Sequence, residues 1–177
     1  IVALNRQNDE SAIIRFTSKD KIEVSQDFTR SKASLNNALD NLFLEGGQTA
    51  VIDAIYFAAN KVDKYQVSEK KEDVKLRSLI LVSDGDDRGS VRQENELFEL
   101  LRKTNVQVYA VGFVNGLSDE ALEGGISRRQ KAKDFFNRLA KETGGKVYFP
   151  DSIDELTKIA NEISGELRTQ YAISYMP

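Results

Sequence analysis

From Leu79 onward, short apolar runs of strand length alternate with longer stretches in which apolar residues recur every three or four positions. That order admits few folds, because strands joined through helices lie parallel in one sheet, with right-handed crossovers and helices on both faces. Leu79-Ile80-Leu81-Val82 is a continuous apolar run bounded by turn signals, the pattern of a strand covered on both faces and therefore central. Val106 to Val111 forms the next strand, Lys146-Val147-Tyr148-Phe149 a short third, and Tyr171-Ala172-Ile173-Ser174-Tyr175 begins another. Between them run three helical stripes: Leu97, Leu100, Leu101 and Thr104; Ala132, Phe135, Phe136, Leu139 and Ala140; and Leu156, Ile159, Ala160, Ile163 and Leu167. Ser90-Val91-Arg92-Gln93 offers a capping box for the first, Gly144-Gly145 stops the second, and Ser152-Ile153-Asp154-Glu155 is a capping box opening the third. Phe135, Phe136, Tyr148 and Phe149 sit at core spacing and read as packing.

The first half adds one hairpin and two helices. Ile1 to Arg6 reads like the last turn of a helix, and Asn8-Asp9 punctuates it. Ala12 to Thr17 is rich in β-branched and aromatic residues, Lys19-Asp20 is a turn, and Ile22-Glu23-Val24 alternates, so two antiparallel strands are expected at an edge. Leu35, Ala38, Leu39 and Leu42 follow at helical offsets, with Thr29 or Ser31 as cap. Glu45-Gly46-Gly47-Gln48 interrupts that helix before a second stripe at Val51, Ala54, Ile55, Ala58 and Val62, and the charged residues 68–73 form a surface loop. The fold class is α/β: a three-layer, Rossmann-like arrangement with a mostly parallel central sheet, one antiparallel edge hairpin and helices on both faces. A length of 177 residues is that of one domain.

Composition narrows the chemistry. The chain has neither cysteine nor histidine, which excludes Ser-His-Asp and Cys-His catalysis, His-ligated haem and the usual zinc sites for these residues alone. Asp plus Glu number 28 against 25 Lys plus Arg, so no basic surplus draws the chain to nucleic acid or to an anionic membrane. No run approaches the ~20 apolar residues of a membrane span, and Ile1 to Arg6 lacks the build of a signal peptide. Gly-x-x-x-x-Gly-Lys-[Ser/Thr] and Gly-x-Gly-x-x-Gly are absent. A protein or a cation is the expected partner.

Two loops could carry function, since ligands of open α/β sheets bind beyond the carboxyl ends of the strands. Gly46-Gly47-Gln48-Thr49 brings backbone and a hydroxyl to the start of a helix; it is equally readable as a turn with Thr49 as N-cap. Ser83-Asp84-Gly85-Asp86-Asp87 gathers carboxylates after the apolar strand. A hard divalent cation would relieve their repulsion, and an Asp-Gly turn with acids at a helix start is the plainer alternative. Asp86 and Asp87 could orient water around Asp84 or simply complement a helix N-terminus.

At these residues the chain resembles the von Willebrand factor A domains. Ile80 to Asp87 is similar to the family's fourth strand and its Ser-Asp-Gly loop, and Gly46-Gly47-Gln48-Thr49 to its threonine loop. Ala110-Val111-Gly112-Phe113 and Thr143-Gly144-Gly145-Lys146 to Phe149 match two further motifs in order and spacing. The resemblance implies a metal-ion-dependent adhesion site in which Thr49 gives a hydroxyl and Asp84 a carboxylate, through water, to Mg²⁺ or Mn²⁺. A carboxylate of a protein ligand would complete the shell, making this a binding module and not an enzyme. The family's Asp-x-Ser-x-Ser, after its first and central strand, is absent. That strand is therefore expected upstream of Ile1, residues 1–167 are read as an N-terminally incomplete domain, and residues 168–177 as the start of a following β segment. Weak Mg²⁺ binding by these residues alone is expected. The strands beside the gap must close up, accept a strand from another copy, or receive one from upstream. The stretch from Leu167 to Pro177 is similar to a bacterial subgroup that is commonly exported, which implies an extracytoplasmic or cell-surface location. Two other readings stand beside this one: a magnesium-dependent phosphoryl-transfer or receiver-like domain using Asp84, which would call for an Asp-x-Asp after the first strand that is absent here, and a structural scaffold with a degenerate site.

Overall fold

The computed structural model describes residues 1–43, 47–65, 76–121 and 125–169. Its strands are β1 (Ser11–Ser18), β2 (Lys21–Thr29), β3 (Arg77–Ser83), β4 (Val106–Gly112) and β5 (Val147–Tyr148), and its helices are α1 (Lys32–Asp40), α2 (Val51–Lys64), α3 (Glu94–Lys103), α4 (Arg128–Thr143) and α5 (Leu156–Arg168). Single 3-10 turns occur at Val2–Leu4, Val114–Gly116 and Ile153–Glu155. Val2–Leu4 is the helical turn expected at the opening. The loop expected at residues 68–73 and the strand expected at Tyr171 to Tyr175 lie outside the described residues.

β3 and β4 run parallel, from Arg77 opposite Val106 to Ser83 opposite Gly112, and β5 adds in parallel to the far side of β4. The β3–β4 and β4–β5 connections pass through α3 and α4 respectively, as the alternating pattern requires. Side chains alternate across β4. Val108 and Ala110 pack with Val51, Leu97, Phe98 and Leu139 under α2, α3 and α4, whereas Tyr109 and Val111 pack with Ile159 and Ile163 of α5. Three layers result. Helix ends follow local chemistry: Ser31 and Ser127 accept N–H bonds at the starts of α1 and α4, and Gly144 ends α4 with φ +73°.

β1 and β2 form a separate two-stranded antiparallel sheet around the Lys19-Asp20 turn. β2 extends to Thr29, well past the Val24 expected from alternation. The pairing carries irregularities near Ile13 and Ser18.

One sequence expectation is corrected at the level of the element. The buried central strand is β4, not the apolar run in β3: among the described residues β3 pairs on one edge only, and its Val82 is 57% exposed. Facing that free edge is the hairpin, across a cavity of about 1640 Å³. Ile14 and Phe16 of β1, Ile80 and Val82 of β3, Ala58 of α2 and Ile159 of α5 stand on its walls. The two strands thus do not close on each other. No helix among the described residues is long and apolar enough to cross a membrane.

Candidate metal face

Thr49 and Asp84 lie on two loops at the carboxyl end of the sheet, and backbone hydrogen bonds join those loops. The Thr49 carbonyl accepts the N–H groups of Arg88 (2.9 Å) and Gly89 (3.1 Å). A side chain at Gly89 would collide with the carbonyl of Gln48, so glycine permits this approach. Thr49 is not the N-cap of α2; Ala50 holds that place, with no side-chain cap of its own. The orphan first-turn donors of α2 are satisfied instead from the other loop. Ile52 N–H donates to Asp87 Oδ1 (3.2 Å), Asp53 N–H donates to Ser90 Oγ (3.0 Å), and the Ser90 hydroxyl donates to Asp87 Oδ1 (2.6 Å).

Asp53 completes this seam. Its side chain is buried, the residue being only 3% exposed, and its carboxylate accepts Val91 N–H (2.8 Å), Arg92 N–H (3.2 Å) and the Arg92 guanidinium (3.1 Å). Arg92 in turn stacks over the ring of Tyr56 at 4.3 Å. Burial opposes the charge on Asp53, but the N–H donors of Val91 and Arg92 and the Arg92 guanidinium outweigh it and hold the carboxyl below its ordinary range. Nothing in the sequence pattern singled out this residue. Helical phase sets it opposite the stripe of Val51, Ile55 and Val62, and only the docking of the 84–92 loop buries it.

Asp84 follows β3 directly. One of its oxygens accepts Asp86 N–H at 3.1 Å, and Ser83 Oγ accepts Gly85 N–H at 3.1 Å, so the turn is wound on its own side chains. Gly85 has φ +77° and lies against the ring of Phe136; a Cβ there would stand 2.6 Å from the ring. Gly112, at the end of β4, meets the same ring, with a Cβ at 2.7 Å. The glycines of both motifs thus admit one phenyl ring from α4.

The two acids after Gly85 have separate partners. Asp87 does complement a helix start, but that of α2 and not of the helix that follows it. Asp86, 12% exposed, is paired with Arg88 (3.1 Å) and Arg128 (3.7 Å). Ser90 does not cap α3, which begins at Glu94 with Gln93 N–H donating to Glu96 Oε2 at 2.7 Å. The capping box is three residues later than expected, because Ser90 is engaged with α2.

Among the described residues no group of three or more His, Cys, Asp or Glu gathers closely enough to hold a metal ion. Thr49 and Asp84 bring a hydroxyl and a carboxylate to this face, both groups of the hard oxygen type that Mg²⁺ and Mn²⁺ take. They fit part of the shell of Mg²⁺ or Mn²⁺, with water, a ligand or other residues for the remaining positions.

A parallel sheet between helical layers, with a hydroxyl and a carboxylate on joined loops at its carboxyl edge, defines a Rossmann-like α/β domain. The chain belongs to the von Willebrand factor type A domain family, whose model matches residues 1–162. Its fold is that of BatB from Bacteroides thetaiotaomicron (17% identity, 96% of this chain and 83% of that one, TM-score 0.63). It is similarly close to an aerotolerance-related membrane protein from Bacteroides fragilis (18% identity, 93% and 83%, TM-score 0.61). It also resembles proximal thread matrix protein 1 from the mussel byssus, in a structure with a zinc-occupied MIDAS motif (16% identity, 94% and 38%, TM-score 0.57). No curated protein matches the chain.

Proposed function

We propose that this domain is a non-enzymatic protein-interaction module whose ligand site is the carboxyl-end face of the sheet. Thr49 and Asp84 hold a divalent cation there, and a carboxylate of the protein ligand completes its shell. The observation that carries this reading is the pair of hydrogen bonds from Arg88 and Gly89 to the Thr49 carbonyl, which fixes the hydroxyl-bearing loop against the carboxylate-bearing loop. The mussel thread protein's zinc-occupied motif supports a metal at the corresponding face. For this chain, with no His or Cys, oxygen donors favour Mg²⁺ or Mn²⁺.

Residues 1–167 form the domain proper and 168–177 open a further segment. A central strand from upstream of Ile1 seats between β1 and β3, where it would pair both free edges and cover the apolar walls of the cavity. The membrane-protein description of the Bacteroides fragilis neighbour supports an extracytoplasmic setting.

Calorimetric titration with Mg²⁺ and Mn²⁺ tests the site. Residues 1–177 are expected to bind weakly, the protein lengthened upstream by one strand and one helix tightly, and its Asp84→Ala variant not measurably. Equal binding with and without Asp84 would overturn the reading.

A further inference from the structure

We infer that Asp53 is the positioning residue of the metal face, its buried carboxylate holding loop 84–92, and through it Asp84, against the backbone of Thr49. The inference rests on the proposed pairing of Thr49 and Asp84, and concerns a residue that touches neither.

Loop 84–92 leaves β3 and must reach α3, and its anchors to α2 are concentrated on a short stretch of chain. The N–H groups of Arg88 and Gly89 end on Thr49, that of Ile52 on Asp87, and that of Asp53 on Ser90. The remaining two, from Val91 and Arg92, end on the Asp53 carboxylate. Residues 49–53 therefore take part in every one of these anchors, and Asp53 is the one charged side chain that α2 contributes to them. A carboxylate that is 3% exposed persists because three donors surround it, and those donors lose their shared partner when it is removed. Arg92 also lies over the ring of Tyr56, one turn along α2 from Asp53, so the same helix that supplies the carboxylate supports the guanidinium bound to it. The consequence is geometric. Thr49 and Asp53 sit one turn apart at the start of α2, and between them they clamp both the middle and the far end of the loop whose near end carries Asp84.

A residue that only stabilised α2 would affect the fold as a whole; one that positions the loop affects the loop and the metal first. Asp53→Asn removes the charge at nearly constant volume, and Ser90→Ala removes a single anchor as the milder variant. Amide exchange of residues 1–177 is expected to accelerate at least tenfold at Arg88, Gly89, Val91 and Arg92 in Asp53→Asn, with β4 amides keeping their protection, and less in Ser90→Ala. In the upstream-lengthened protein, Mn²⁺ affinity is expected to fall about tenfold or more in Asp53→Asn, the usual scale for groups that orient a ligand from behind. Unchanged loop exchange, uniform acceleration across β4, or faster loop exchange with unaltered Mn²⁺ affinity would each overturn the inference. Absence of Mn²⁺ binding in the lengthened, unsubstituted protein would instead overturn the Thr49–Asp84 pairing and, with it, the role of Asp53 toward a metal; the exchange measurement still decides whether Asp53 holds the loop.

Discussion

Phe136 shows how a single side chain can account for two motifs. Its ring fills the space above Gly85 and Gly112, the glycines that close β3 and β4, so both loops of the carboxyl edge rest on α4. Gly112→Ala is expected to destabilise the domain by about 1–3 kcal/mol through overpacking. Combining it with Phe136→Leu should cost less than the sum of the two single changes, measured by urea denaturation. Asp53 gives the second prediction at this scale. Its folded pKa lies below its ordinary value, so the stability it contributes is fully present above the range of an unfolded carboxylate and is lost as pH falls through the lower folded value. The stability difference between the native chain and Asp53→Asn, followed by denaturation across acid pH, is therefore expected to be largest near neutrality, roughly 2–4 kcal/mol, and to shrink on acidification below about pH 4. Sequence showed Gly85, Gly112 and Phe136 separately, the first in an Asp-Gly turn, the second in a family motif and the third as core. Their meeting, like the burial of Asp53, depends on contacts between segments far apart in the chain, which local periodicity does not encode.

Elements whose ends are set by neighbouring residues were readable, and those set by distant ones were not. The stop of α4 belongs to the first kind. Thr143 Oγ1 donates to Leu139 C=O (2.7 Å) and accepts Val108 N–H (3.0 Å), Gly144 turns the chain at positive φ, and Gly145 passes so close to the Val108 carbonyl that no side chain fits. The Thr-Gly-Gly motif is thus a dock between the end of α4 and the middle of β4. Thr143→Val keeps the shape and removes the hydroxyl, leaving a strand N–H without its partner; a loss of about 1–3 kcal/mol is expected, read as a lower denaturation midpoint at unchanged slope. The start of α3 belongs to the second kind, since Ser90 serves α2 across the gap between loops. β3 was misjudged for a related reason: its apolar run announces burial, but among the described residues only its Leu81 is buried, because which strands flank it is a matter of topology. The loops bearing Thr49 and Asp84 were legible from their glycines and carboxylates, whereas the hydrogen bonds joining them were not.

At the scale of the whole molecule, the described residues form a three-stranded parallel sheet and a two-stranded hairpin that share helices without sharing a ladder. Lengthening the chain upstream by a strand that pairs both β1 and β3 is expected to raise the midpoint of thermal unfolding by several degrees, since even 1 kcal/mol shifts a domain of this size by about 2–4 °C. A midpoint unchanged in scanning calorimetry would mean that the added strand does not seat there. The α/β class and the helical layers were written in the alternation of the sequence, but the separation of hairpin from sheet was not, because edge pairing leaves no local trace.

The hairpin itself is attached mainly through its helical neighbours. Lys61 of α2 pairs with Asp27 at 2.8 Å, and Tyr65, just beyond that helix, stacks on Phe28 with ring centroids 3.8 Å apart. No residue of β1 or β2 is fully buried, whereas β4 is buried along most of its length. Local opening free energies follow buried apolar contact. Residues 11–29 therefore form the more readily detached cooperative unit, open to proteolytic cleavage at populations where β4 and α4 are still closed, and the loop bearing Thr49, whose Gly47 lies against the backbone of Thr17, loses that support when the hairpin opens.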